Sequence, residues 1–280
     1  MLYLLIILLF PFSLFSAEAA VFPWIVYYND LAPPEAFDSY NPIVFHTIQH
    51  PPLEPLLQKK KVVLGYLNAG EADKELNLFL TVQELGLIIK ENPNWPGSWM
   101  VDIRNPSWSS LLLDNIIPEI LAQGFNGLFL DQLDVPLFLE KTDPKKYKGM
   151  SAAAVNLVKA IRKKFPDKYL MMNRAYELLP QLGDQIDFEL AETLYTSYNF
   201  DKKQYLVRPK SEYEWQLAQL NKARAQFPRL GVFSLDYCDP KDQVTMRIIY
   251  AAEREQCIRP YVSTIALNEI FPEPAPETKK

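Results

Sequence analysis

The sequence holds only two histidines, two cysteines and nine glycines in 280 residues, and each scarcity removes a class of chemistry. His46 and His50 form no His-x-x-x-His or Glu-x-x-His pairing, and no Cys or His cluster suggests a zinc centre. No glycine-rich phosphate loop is present, and no Gly-x-Ser-x-Gly elbow, so a Ser-His-Asp hydrolase would lack its nucleophile turn. The formal net charge is -5 and Lys and Arg form no dense stripe, so the electrostatic footprint of a nucleic-acid binder is missing. No internal repeat at a period of roughly 20–50 residues appears.

What is present is ordinary for a protein with a large core: 49% apolar and 22% charged residues, too apolar for long disordered stretches. Aromatics make up 13%, and while most such rings pack the interior, exposed ones offer flat faces to sugars or bases. Residues 2–15 are apolar over too few positions to cross a bilayer comfortably, and Ala17-Glu18-Ala19 supplies the small-x-small pattern of a signal-peptidase site. Residues 1–19 therefore read as an export signal, giving a secreted or periplasmic protein with no membrane contact after cleavage. The lack of Lys or Arg before the apolar run keeps an uncleaved membrane anchor as the alternative. Residues 20–271 read as one domain, and the Pro- and Glu-rich residues 272–280 as a disordered tail.

Short apolar runs alternate with helix-like stretches, which is the pattern of a parallel sheet with crossover helices. Candidate strands are residues 24–28, 42–45, 62–67, 99–103, 127–130, 169–172, 188–191, 231–235 and 261–264. Nine is one too many for an eight-stranded (β/α) TIM-type barrel, so one candidate, near Pro42 or Trp99, is expected to be an outlier, or the barrel to be irregular. Helix starts are signalled at Asn105-Pro106, Ser151, Ser211 with Glu214, and Asp239-Pro240, and Ala154, Val158, Ile161 and Phe165 recur at helical spacing. A helix from about Pro240 to Cys257 would be ~27 Å long and would keep Cys238 and Cys257 unpaired.

Several strands run straight into an acid: Val101-Asp102, Leu130-Asp131, Ala191-Glu192 and Leu235-Asp236, with Gly70-Glu71 just past another. One acid after a strand is commonly a helix cap, but the C-terminal strand ends of a barrel ring a single mouth, so several together predict a carboxylate-lined pocket. Such a cluster serves either as an acid and base flanking a glycosidic bond or as oxygen ligands for a hard cation. Asp134 sits close enough to Asp131 to influence its protonation, or caps the following turn.

The motifs, in order, resemble glycoside hydrolase family 114, the endo-α-1,4-polygalactosaminidase-like barrels. They are Gly65-Tyr66-Leu67-Asn68-Ala69-Gly70-Glu71-Ala72, Glu91-Asn92-Pro93-Asn94-Trp95-Pro96-Gly97, Val101-Asp102-Ile103-Arg104-Asn105-Pro106-Ser107-Trp108, Gly124-Phe125-Asn126-Gly127-Leu128-Phe129-Leu130-Asp131-Gln132-Leu133-Asp134, Asn173 with Glu177-Leu178-Leu179, Ala191-Glu192-Thr193-Leu194-Tyr195 and Leu235-Asp236-Tyr237. The resemblance implies a catalytic pair at Asp131 and Glu192, a retaining mechanism and a galactosamine-containing or related amino-sugar polymer as substrate, with no cofactor or metal. Tyr66, Glu71, Asp102, Asp134, Asn173, Tyr195 and Asp236 are expected around the pair as orienting and sugar-contacting groups. Arg104 and Asn126 depart from the family pattern. A catalytically silent carbohydrate-binding barrel, and a metal-assisted hydrolase built on Asp102, Asp131, Asp134 and Asp236, are the competing readings.

Overall fold

The computed structural model describes residues 23–74 and 78–275; the predicted export signal and the end of the tail lie outside them. Eight parallel strands follow one another in chain order around a barrel: β1 (Ile25–Tyr27), β2 (Ile43–Phe45), β3 (Val63–Asn68), β4 (Gly127–Asp131), β5 (Tyr169–Asn173), β6 (Phe188–Glu192), β7 (Gly231–Tyr237) and β8 (Arg259–Ser263). Each pairs with its neighbour in parallel register, and β1 and β8 share no ladder, leaving one unsealed seam. Side-chain packing and isolated hydrogen bonds close it instead. Trp24 donates its indole N–H to Arg259 O at 2.9 Å and packs its ring edge-on against Phe233 and Tyr261, while Tyr28 N reaches Leu267 O at 2.7 Å.

The strands are apolar on both faces because one face fills the barrel and the other meets the helices. In Gly127-Leu128-Phe129-Leu130 every residue is buried. Gly127 is required there: a Cβ would fall 2.4 Å from Leu64 and 2.5 Å from the carbonyl of Tyr169.

The surplus ninth candidate is the run at Trp99. It forms the centre strand, Ser98–Val101, of a three-stranded antiparallel sheet with Glu71–Asp73 and Ile88–Glu91, inserted between β3 and β4. A second excursion, the hairpin of Thr196–Asn199 and Gln204–Val207, separates β6 from β7. Its strands and the two flanking strands of the inserted sheet are too polar or too short to be read from alternation alone.

Among the helix starts, Asn105 caps as expected, accepting from Ser107 N at 3.0 Å before Pro106–Leu111. The other three shift. Ser151 lies inside Met150–Lys164, where Glu140 of the preceding helix takes the cap's place by accepting from Gly149 N (2.7 Å) and Ser151 N (2.8 Å). Ser211 lies inside Lys210–Gln226, and Asp242 rather than Asp239 caps Gln243–Glu255 through Thr245 N. Ala154, Val158 and Ile161 are fully buried, as their spacing predicts. Cys238 and Cys257 are both free and flank the helix Gln243–Glu255. Among the described residues no helix is long and apolar enough to cross a membrane.

Candidate active site

The C-terminal ends of β3 to β7 open on a cavity of about 1260 Å³, lined on its floor by Tyr66, Asp131, Asn173, Glu192 and Tyr237. Strand alternation aims these side chains inward: Phe129 and Asp131 on β4, Leu235 and Tyr237 on β7 all reach the cavity, and the residues between them do not. Just past three of these ends the backbone turns through a left-handed residue, Gln132 (φ 61°) after Asp131, Arg174 (φ 56°) after Asn173 and Thr193 (φ 53°) after Glu192. A non-glycine residue there costs roughly 1–2 kcal/mol, and the surrounding contacts hold it in place. At the first turn, Ala69 N bonds Asp131 O at 3.0 Å, and Gly70 packs so closely that a Cβ would lie 1.9 Å from Gln132 O.

Asp131 and Glu192 are joined through one amide. Asn173 Nδ2 donates to Asp131 Oδ1 at 2.9 Å and to Glu192 Oε2 at 2.7 Å. These two bonds laid end to end limit the separation of the two oxygens to about 5.6 Å. Asp131 also accepts from Gln132 N at 2.8 Å and from the Tyr66 hydroxyl, and Glu192 Oε1 accepts from the Tyr237 hydroxyl at 2.6 Å. Burial, then the charge of Glu192, pushes Asp131 up to about 7 against the pull of Asn173 and Gln132. Two carboxyls this close do not both ionise readily, so the pair keeps one proton close to neutral pH.

The remaining expected residues divide. Tyr66 and Asn173 stand at the pair, and Glu71 borders the cavity but is 1% exposed, both oxygens engaged by Asn92 (2.9 Å) and Ser98 (2.6 Å). It anchors the inserted sheet. Asp134 opens the helix Asp134–Thr142 beyond the cavity lining, with burial raising its carboxyl and nearby Arg174 opposing that rise.

Asp102, Tyr195 and Asp236 do not line the cavity. Asp102 follows a strand of the inserted sheet rather than of the barrel, and Arg104 grips it through Nη2 (2.6 Å) and Nε (2.8 Å), which holds its carboxyl below the usual range. Asp236 is the penultimate residue of β7, which runs on to Tyr237, and so faces outward. Its Oδ1 accepts from Tyr195 N (2.8 Å) and Thr196 N (2.6 Å), fastening the segment after Glu192, and it shares a hydrogen bond with Glu253. Burial raises both of these carboxyls, as one proton between two buried acids requires. Tyr195 packs outside the barrel, edge-on to Tyr213.

Tyr28, His46, Asp73 and Tyr237 line the cavity and were not singled out from the sequence. Tyr28, His46 and Tyr66 form a mutual ring cluster with centroids 5.7–5.9 Å apart. Tyr28 follows β1 and His46 follows β2 directly, so the rule that strand ends ring the mouth extends to these rings as well as to acids. Among the described residues no group of three or more His, Cys, Asp or Glu has the geometry to hold a metal ion.

Comparison with known proteins gives the same architecture. The glycoside hydrolase domain of PelA from Pseudomonas aeruginosa superposes with a TM-score of 0.78 at 24% identity, covering 90% of this chain and 98% of that one. Ega3 of Aspergillus fumigatus, solved in complex with galactosamine, gives 0.64 at 16% identity, covering 88% and 92%. Shorter sequence matches reach a protein of Deinococcus radiodurans, 28% identical over 75 residues, and one of Methanocaldococcus jannaschii, 29% identical over 86 residues. They cover 26% and 29% of this chain, and the matched part spans about a quarter of each relative's length. The family model described as Glycoside-hydrolase family GH114 matches residues 16–278. This chain, with its paired acids at the mouth of a barrel, belongs to that family.

Proposed function

We propose that the protein hydrolyses an α-1,4-linked galactosamine-containing or related amino-sugar polysaccharide with retention of anomeric configuration. The observation that carries the mechanism is the single Asn173 amide between the two acids. Retaining enzymes hold their carboxyls about 5–5.5 Å apart, whereas inverting ones leave about 6.5–9.5 Å for a water. The limit of about 5.6 Å on the bridged oxygens belongs with the shorter class.

In the first step Asp131 attacks the anomeric carbon, the glycosidic C–O bond breaks, and the proton on Glu192 passes to the departing oxygen. In the second, a water adds its oxygen to the same carbon, Glu192 takes the water's proton, and Asp131 leaves as carboxylate. Tyr66 and Tyr237 orient the two acids through their hydroxyls.

The substrate class is supported by the galactosamine complex of Ega3 and by the lining, where Glu71, Asp73, Glu119, Asp131 and Glu192 outnumber Lys74 as charged groups. An unacetylated amino sugar is a cation at neutral pH and is drawn into such a field. The apolar run ahead of residue 20 fits export to where such polymers accumulate.

Incubation with α-1,4-linked galactosamine polymers of graded acetylation, read as new reducing ends, tests the activity. The anomer of the first product, read by NMR before mutarotation, tests the mechanism. An inverted first product removes the nucleophile role from Asp131, and failure to cleave any member of the series removes the substrate class.

A further inference from the structure

The two excursions from the barrel meet outside the cavity. Trp95, in the turn between Ile88–Glu91 and Ser98–Val101, lies 4.9 Å from Phe200 at the tip of the hairpin, ring to ring at 76°. Phe200 continues to Tyr198 (5.1 Å, 86°), and Tyr198 to Tyr205 (5.1 Å, 56°), whose hydroxyl meets the backbone of Ile265. Trp95 and Ile265 are both cavity-lining residues. Four rings thus form an unbroken ridge that begins in the cavity wall at Trp95 and ends at Tyr205, one hydrogen bond from the wall residue Ile265. The two excursions leave the chain before β4 and after β6, and so flank in sequence the strands that present Asp131, Asn173 and Glu192.

Three features distinguish this ridge from core packing. Trp95 and Phe200 remain 44% and 42% exposed, although the burial of such rings ordinarily stabilises a fold. Edge-to-face contacts leave open faces, which a stacked column would cover. The Trp95 end of the ridge is also held firmly: Asn92 and Ser98, which bracket the Trp95 turn, are both bonded to the buried Glu71, and Asn94 N is bonded to Asn92 Oδ1. Anchored, exposed rings lose little conformational entropy when a ligand lands on them. Glu71 accordingly acts through the turn it fixes and not by touching sugar.

We infer that this ridge, Trp95–Phe200–Tyr198–Tyr205, is a binding platform for the stretch of amino-sugar chain that extends beyond the bond being cleaved. The inference rests on the substrate class proposed above. Aromatic faces accept the C–H side of a hexosamine ring, and a protonated amine adds attraction to the ring quadrupole. Neutral, acetylated units gain only the first of these, so the platform selects for unacetylated stretches.

The test measures binding by the full chain carrying Glu192→Gln, which stops turnover, to long α-1,4-linked galactosamine oligomers and to a disaccharide. Phe200→Ala in that background is expected to weaken the long oligomer by roughly 3- to 10-fold relative to the disaccharide, and the fully acetylated oligomer less. Phe200→Leu keeps an apolar side chain at the hairpin tip without an aromatic face, and is expected to weaken binding similarly while the melting temperature holds. Unchanged long-chain affinity in both variants overturns the platform. Long-chain binding by the parent that matches the disaccharide overturns it equally. Hydrolysis by the unsubstituted enzyme is scored separately: absent cleavage counts against the proposed function, whereas cleavage with unaltered affinity in the variants counts against the platform alone.

Discussion

Asp131 and Glu192 come from different strands and accept hydrogen bonds from the same nitrogen, Asn173 Nδ2, at 2.9 and 2.7 Å. The amide neutralises neither acid, yet it fixes their spacing and prevents them from turning apart. Asn173→Ala is therefore expected to lower kcat by roughly 100-fold or more with a smaller change in KM, because the groups that must act together lose their common tether. Steady-state kinetics on one defined oligomer checks this, and equal losses in kcat for Asn173→Ala and for a surface control such as Leu31→Ala would contradict it.

The proton held by the pair sets the pH response. Asp131 is pushed up to about 7 by burial and by the charge of Glu192, so on the proposed mechanism the pair loses, above about pH 7, the proton that the departing oxygen needs, and kcat/KM is expected to fall as pH rises. Below the lower pKa of the pair both acids are protonated and the nucleophile is lost, which gives a bell. Asn173→Asp adds a third carboxylate and is expected to move the upper limb to higher pH whatever it does to the maximum. A limb that stays in place or moves down would show that Asn173 does not govern the pair's protonation.

Removing either acid separates their roles. Asp131→Asn and Glu192→Gln are each expected to reduce turnover by roughly 1000-fold or more. Azide or formate is expected to restore product formation in one of the two variants, since a small anion replaces a missing base or nucleophile but not a missing proton donor to a poor leaving group. Full activity in both variants would defeat the assignment.

Two features made much of this legible in the sequence. Barrel strands are buried on both faces, so β4 reads as an unbroken apolar run and β6 as one broken only by Glu189, and Asp131 and Glu192 stand out as the acids that close these two runs. The rule failed where it was blind to phase or to sheet. Asp236 also follows an apolar residue, but its strand runs two residues longer than the apolar run, and the second of them, Tyr237, takes the inward position. Asp102 follows a largely apolar strand, Ser98–Val101, that belongs to an antiparallel insertion instead of the barrel. Neither error is visible without the partner strand, since pairing is a property of two segments. The ring cluster of Tyr28, His46 and Tyr66 depends on the convergence of β1, β2 and β3, which no single stretch of chain encodes.

Asp236 supports a different expectation from that of a sugar contact. Through Tyr195 N and Thr196 N it fastens the segment that follows Glu192, and through Glu253 it reaches the helix Gln243–Glu255. Asp236→Ala leaves two backbone N–H groups and a buried acid without partners, so a loss of roughly 3–5 kcal/mol is expected, seen as a lower denaturation midpoint. Asp102→Ala, which removes a half-exposed partner of Arg104, is expected to cost roughly 1 kcal/mol or less. Equal losses from the two substitutions would argue against the supporting role.

Glu189 gives the sharpest test of stability. It lies on the outer face of β6, out of phase with Glu192, is fully buried, and neither of its oxygens has a partner among the described residues. Burial raises its carboxyl well above the ordinary range, so the folded protein keeps this proton while the unfolded chain releases it at about pH 4.3. Stability from this group is therefore fully present below about pH 4.3 and declines as pH rises from there toward the raised folded value. Glu189→Gln removes the titration and is expected to flatten the fall of melting temperature between about pH 5 and about pH 8, the remaining slope coming from Asp236 and Glu253, whose raised carboxyls act with the same sign. Glu189→Leu, which also removes the unsatisfied oxygens, is expected to raise the melting temperature by roughly 2–10 °C at about pH 8. Thermal melts of the three proteins across that range decide it, and a Gln variant that keeps the parent's full slope would mean that Glu189 is ionised in the folded barrel.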